Sequence, residues 1–212
     1  MAKQKRQYNN EFPSVTQVLD VLRKIGLEMW FKMNTLEFIN KESSKGKLVG
    51  TQIHDAIESY ITTGDIKFET EYPDEVTNAL KGFMLFKKDH PEIKLHKSEM
   101  MLTSEIHKFN GTMDCLAEID GVMVCFDWKT GQAKEKEKPD IYQEYKTQVS
   151  AYTNAYNEVN KTNINRAFVL SLAKDKIAYN LEELNEQKIH DNFNEVFLPA
   201  LRILNYQKRK DK

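Results

Sequence analysis

Apolar positions recur every three to four residues up to about Phe86 and every second residue from Ile93 to Thr130, and that change of period sets the expected architecture. Val15, Val18, Leu19, Leu22 and Ile25 follow helical spacing behind Ser14, a good N-cap, with Gly26 as the end. Leu27 to Ile39 predicts a second helix carrying Trp30, Phe31, Met33 and Leu36, and the polar run Lys41 to Lys47 reads as a loop. A helix from about Leu48 to Ile61 places Val49, Ile53, Ile57 and Tyr60 on one side and stops at Gly64-Asp65. Another starts with Pro73 in its first turn, carries Val76, Leu80, Phe83, Met84 and Phe86, and stops before Pro91. Ile93 to Thr130 reads as a strand meander, Lys134 to Lys138 as a loop of alternating charge, and Ile141 to Val159 as a helix. Strands are predicted at Ala167 to Leu172 and Ile177 to Asn180, and a last helix at about Leu184 to Tyr206.

Helices, then strands, then helix–strand–helix imply an α/β domain: a mixed central β-sheet flanked by helices, with an N-terminal helical region. With no internal repeat and no Pro/Gly/Ser-rich linker, residues 1–212 read as one domain. Residues 1–92 form its mainly helical part, 93–180 the sheet and helix core, and 181–212 the C-terminal helix.

Composition narrows the function classes. Hydrophobic residues make up 40% of the chain, too many for a disordered chain, and no apolar run reaches membrane-spanning length. The polar N-terminus lacks a secretory h-region, so the expected setting is cytoplasmic, with no membrane partner. Two cysteines exclude a disulfide scaffold, a four-cysteine zinc site and a four-cysteine iron–sulfur cluster. A net charge of −1 excludes a protein that coats nucleic acid by bulk charge, and the basic ends (Lys3, Lys5, Arg6; Lys208, Arg209, Lys210, Lys212) read as solvated tails.

Candidate chemistry sits in the stretch from Gly111 to Thr130. Asp120-Gly121 between alternating apolar residues predicts a two-residue type I′ hairpin. Its register pairs Ile119 with Val122, Ala117 with Val124, Cys115 with Phe126 and Met113 with Trp128 on one buried apolar face. The other face pairs Leu116 with Cys125, Asp114 with Asp127 and Thr112 with Lys129, and the two cysteines, on opposite faces, form no disulfide. Opposed aspartates would be about 4.5–5.5 Å apart at Cβ and repel. A divalent cation between them reverses that sign, whereas the competing reading has them facing solvent with Lys129 neutralising one.

Asp114, twelve intervening residues and then Asp127-Trp128-Lys129 resemble the D…(D/E)-x-K core of the PD-(D/E)XK nuclease superfamily. Gly50-Thr-Gln-Ile-His54 resembles the G-x-x-x-H motif of its RecB-like and phage-exonuclease branch, Glu99 its additional acid, and Gln148-Val-Ser-Ala-Tyr152 its Q-x-x-x-Y motif. Met113 stands where the naming proline is found, and the second acid is Asp rather than Glu. The iron–sulfur subgroup is excluded by the cysteine count.

The resemblance implies a restriction-endonuclease-like core and a divalent-metal-dependent DNA nuclease of exonuclease type, serving recombination, repair or phage DNA processing. The alternatives are an inactive relative that grips a DNA end or a partner protein, and a phosphohydrolase acting on a nucleotide. Asp114 and Asp127 would bind Mg²⁺ or Mn²⁺, with the Trp128 backbone carbonyl as a further ligand. His54 would favour Mn²⁺, and Glu99 would hold a second metal or a metal-bound water. Lys129 would position the attacking water and neutralise charge, or act as base with its pKa depressed by the nearby metal. Gln148 and Tyr152, one helical turn apart, would orient Lys129 or touch the DNA backbone. The expected partner is DNA, single- or double-stranded and met at an end, with a second copy or a recombination protein as further company. The source expected is a bacterium or a phage-infected host.

Overall fold

Ser14 opens the first helix with a capping box: its hydroxyl accepts from the Gln17 backbone N–H while the Gln17 side chain accepts from the Ser14 N–H. This helix, α1 (Val15–Leu19), is shorter than the spacing predicts, because beyond Asp20 the bonds tighten to i→i−3, from the Val21 N–H to the Val18 carbonyl and the Leu22 N–H to the Leu19 carbonyl. The computed structural model describes residues 8–22, 24–66, 68 and 71–210, so the predicted basic residues Lys3, Lys5, Arg6 and Lys212 lie outside the described residues.

The predicted second helix is divided. α2 (Ile25–Met33) stops at the extended Asn34, and Thr35 caps α3 (Leu36–Thr63), accepting from the Phe38 N–H at 3.3 Å. Lys41 to Lys47, expected as a loop, is instead the interior of this 28-residue helix. Lys, Glu and Ser carry no strong penalty on a solvated helical face, and Lys45 is tied by an ion pair to Glu75 of α4 (Asp74–Asp89). Gly64 ends α3 at φ 79°, a conformation glycine adopts without strain. Pro73 is the N-cap of α4, one position earlier than predicted, and His90 closes that helix ahead of Pro91.

The meander appears as β1 (Ile93–Ser104), β2 (Phe109–Ile119) and β3 (Val122–Gly131), paired antiparallel. Helix α5 (Gln143–Asn160) then carries the chain over to β4 (Ala167–Ala173), parallel to β3, and β5 (Tyr179–Leu184) adds antiparallel to β4. The five-stranded sheet therefore has the order β1-β2-β3-β4-β5 and is mixed, as expected. All of β4 is buried, as a strand covered by helices on both faces must be.

Helices α3 and α4 cover one face, packing Ile53, Ile57, Leu80 and Phe83 against Cys115, Ala117, Phe126 and Trp128. Helices α1 and α5 and the C-terminal helices cover the other, packing Val15, Val18, Val149, Phe193 and Phe197 around Leu116, Cys125 and Val169. Cys115 and Cys125 thus belong to opposite cores and are free thiols, as the register predicts. The final helix is interrupted: α6 (Glu186–Asp191), a π-helical turn over Asn192–Phe197, then α7 (Leu198–Lys210). In that turn Asn192 Oδ1 accepts from Gln143 and Thr147, which ties the C-terminal helices to the first turns of α5.

Candidate active site

Asp120 and Gly121 have φ of 51° and 82°, the two positive values a type I′ turn requires. The predicted register holds from Ile119–Val122 to Cys115–Phe126 and then stops. The expected pairs Asp114–Asp127, Met113–Trp128 and Thr112–Lys129 do not form as ladder pairs. The Trp128 backbone N–H donates to Asp114 Oδ2 at 2.8 Å instead of to a strand carbonyl. Met113 consequently packs in the α1/α5 core while Trp128 stays in the α3/α4 core, so the alternation of β2 shifts face at Asp114.

The neighbouring strand is irregular at the same level. The β1–β2 ladder pairs Ser98 with Cys115 and Met100 with Met113 but passes over Glu99 and Asp114. Glu99 has φ 51°, a strained conformation for a side chain of its size that costs on the order of 1 kcal/mol and is held by the paired residues on either side. The two distorted positions aim their carboxylates at α3, where His54 Nδ1 lies 3.7 Å from Glu99 Oε1 and 3.7 Å from Asp114 Oδ1. Ligand-capable atoms of His54, Glu99 and Asp114 all fall within 4.8 Å of one another. His54 reaches this point because Ile53 and Ile57 beside it anchor α3 on the sheet.

Asp127 stands just outside that converging set. Its side chain is fully buried, Oδ2 is 2.5 Å from Lys129 Nζ, and among the described residues Oδ1 has no hydrogen-bond partner. Asp114 is 7% exposed and Asp127 not at all, so the solvent-facing reading of the two acids is overturned. Lys129 also donates to the Trp128 carbonyl at 3.4 Å, the backbone oxygen expected to bind metal, and its ammonium lies 5.7 Å from the centre of the Tyr145 ring. Gln148 and Tyr152 are brought together, with Gln148 Nε2 donating to the Tyr152 hydroxyl at 2.7 Å while the Tyr152 ring sits in the core.

Burial first, and then the Asp127 charge, push the Asp114 carboxyl up to about 7. Burial draws the His54 imidazole down, but the Glu99 hydrogen bond and the Asp114 charge outweigh it, and the net shift is upward. Lys129 behaves likewise: burial opposes its charge, Asp127 and Asp114 prevail, and the ammonium is held above its ordinary value. That direction suits an electrostatic and positioning role.

Two residues near the site were not singled out from sequence. Tyr145 lies three residues before Gln148 on the same face of α5, a spacing that was readable. Gly111 lies in β2, and a glycine inside a strand often marks a close approach. A Cβ there would stand 2.5 Å from Tyr152 Cε1 and 3.2 Å from Val15 Cγ2. Gly111→Ala is therefore expected to displace the Tyr152 ring and lower stability by about 1–3 kcal/mol, read as a fall in the urea midpoint without a change in slope.

Residues 29–207 match the profile of the PD-(D/E)XK nuclease superfamily. Mitochondrial genome maintenance exonuclease 1 of Mus musculus is 30% identical over 165 residues, covering 70% of this chain and 45% of the mouse protein. The Homo sapiens protein of the same name is 28% identical over 158 residues, covering 70% of this chain and 44% of its own length. The chain thus spans a little under half the length of these relatives. The crystal structure of an alkaline exonuclease from Laribacter hongkongensis aligns over 93% of this chain and 92% of that one, at 14% identity and a TM-score of 0.39.

Proposed function

This chain belongs to the PD-(D/E)XK nuclease superfamily, and on that premise we propose that it is a single-domain, divalent-metal-dependent DNA nuclease that degrades DNA from an end. The observation that carries this reading is the convergence of His54, Glu99 and Asp114 beside the buried Asp127 and its half-buried partner Lys129. The donor set fits the metal that nucleases of this superfamily use. One His54 nitrogen and one carboxylate oxygen each of Glu99 and Asp114 lie within 4.8 Å of one another, and the fully buried Asp127 Oδ1 beside them has no hydrogen-bond partner among the described residues. Asp114, Asp127, Glu99, His54 and the Trp128 carbonyl would hold Mg²⁺ or Mn²⁺, the imidazole favouring Mn²⁺. A divalent cation there would polarise the phosphoryl oxygen and lower the pKa of the attacking water.

The chain's own residues supply the rest. Lys129, held charged, donates to the attacking water and offsets the charge that builds on the phosphoryl oxygens. Gln148 and Tyr152, joined by their hydrogen bond, fix the face of α5 that lies against Asp127 and Lys129. The names of the mammalian relatives support an exonuclease acting in genome maintenance; recombination, repair or phage DNA processing are the corresponding settings. Among the described residues no helix is long and apolar enough to cross a membrane, and two free buried thiols suit a reducing compartment such as the cytoplasm.

With Mg²⁺ or Mn²⁺, the wild-type protein is expected to shorten end-labelled linear DNA and to spare closed circles. Asp127→Ala is expected to cut the rate about a thousandfold, equivalent to about 4 kcal/mol of transition-state stabilisation. Equal inactivity of the two on single- and double-stranded DNA would overturn the reading. Metal-independent binding of DNA ends without cleavage would instead identify an inactive relative.

A further inference from the structure

Among the described residues, the Lys129 ammonium lies beside the Asp127 carboxylate at 2.5 Å, the Trp128 carbonyl at 3.4 Å and the face of Tyr145, 5.7 Å from its centroid. The first two are oxygens of the same set that would ligate a divalent cation. A cation held by Asp127 and the Trp128 carbonyl would weaken their hold on the ammonium, because the same lone pairs would serve both and two cations repel. A lysine side chain freed in this way regains rotamer entropy and loses its aim. The Tyr145 ring competes for no metal ligand. Its π face attracts the ammonium, more strongly as the site is desolvated.

The ring is itself fixed. Tyr145 is in the first turn of α5, where its N–H bonds the Tyr142 carbonyl, and Tyr142 packs edge-on against it at 5.3 Å and 76°. That turn is clamped in turn by Asn192, through Gln143 and Thr147. The other charged groups facing Lys129 are Asp114 on β2, His54 on α3 and Glu144 on α5, and Glu144 is engaged by Lys24 at 3.6 Å.

We propose that Tyr145 is a positioning residue that keeps the Lys129 ammonium aimed when the carboxylates are given over to metal. The inference rests on the nuclease reading, and it deepens the site by a residue that the motif spacing does not contain. Its ring, and not its hydroxyl, does the holding, so Tyr145→Phe preserves the function and Tyr145→Leu removes it.

Two measurements test this. In protein labelled with ¹³C-lysine, the Lys129 ε-methylene resonance, assigned with Lys129→Arg, should carry a ring-current shift in the wild type and in Tyr145→Phe. That shift should persist on adding Mg²⁺ and vanish in Tyr145→Leu. Loss of the shift on metal addition in the wild type would overturn the proposal whether or not the protein cleaves DNA. In single-turnover assays, Tyr145→Phe should stay within about threefold of wild type and Tyr145→Leu should fall about 10- to 30-fold. The Kd for DNA in Ca²⁺ should stay within about threefold for both. Equal loss in both variants would assign the role to the hydroxyl. A change confined to Kd would make Tyr145 a DNA contact, and an unchanged rate in Tyr145→Leu would leave it no role; each of the three refutes the proposal. Inactive wild type with an intact, metal-resistant ring-current shift would count against the nuclease reading alone.

Discussion

Asp114→Asn is expected to melt at a higher temperature than the wild type in the absence of metal, while losing its response to Mg²⁺ and its activity. The amide keeps the acceptor that the Trp128 N–H uses and removes the charge that burial and Asp127 both oppose. The sign follows from the raised pKa. An unfolded Asp ionises near its ordinary value of about 4, whereas the folded chain holds the Asp114 proton up to about 7. The group therefore supports folding fully below about pH 4, and that support is lost as pH rises towards and through 7. Urea melts in EDTA should show variant and wild type close at pH 4 and separated at pH 8 by about 2–4 kcal/mol, with Asn the more stable. At about 2–4 °C per kcal/mol for a chain of this size, the shift in Tm is large. Saturating Mg²⁺ or Mn²⁺ should raise the wild type alone, by RT ln(1 + [L]/Kd), and close the gap. A less stable Asn variant at pH 8 in EDTA would mean that Asp114 is not a stored repulsion.

The hairpin explains why part of this site was legible and part was not. Turn chemistry at Asp120-Gly121 and strict alternation determine the register near the turn, and five pairs follow it. Where Asp114 takes the Trp128 N–H, a side-chain bond replaces a backbone one, and no periodicity rule anticipates that substitution. The spacing brought Asp114, Asp127 and Lys129 to one neighbourhood, yet their geometry comes from broken ladder positions at Glu99 and Asp114, where strain and burial serve the site rather than the sheet. A similar contrast holds in the helices. The apolar face of α3 around Ile53 was readable, but its first turns lack a buried stripe, so their polar run gave no sign of helix. Tyr145 and Gly111 escaped notice because each acts through a partner far along the chain: the ring lies over Lys129, and the missing Cβ leaves room for Tyr152.

Lys129→Met should act in the opposite direction on stability and in the same direction on activity. Methionine fills much of the volume of the lysine stem but leaves Asp127, fully buried and with Oδ1 already unpartnered, without its counter-charge. Removing one partner of a buried pair costs about 3–5 kcal/mol, because the remaining charge stays desolvated. The metal-free variant should therefore unfold at markedly lower urea than wild type at pH 8. Asp127→Asn in the same chain should recover most of the loss, since the amide no longer needs a cation. Divalent metal should rescue the single variant more than it stabilises wild type, because the ion meets no competing ammonium at Asp127. Activity should nevertheless stay low, by about 100- to 1000-fold, even in saturating metal, since the charge proposed to face the phosphoryl group is gone. Stabilisation by metal without recovery of the rate would separate the two jobs of this pair: Asp127 holds the ion, and Lys129 acts on the phosphate and its water. If metal restored both together, Lys129 would only be a placeholder for the ion, and the role assigned to it here would be wrong.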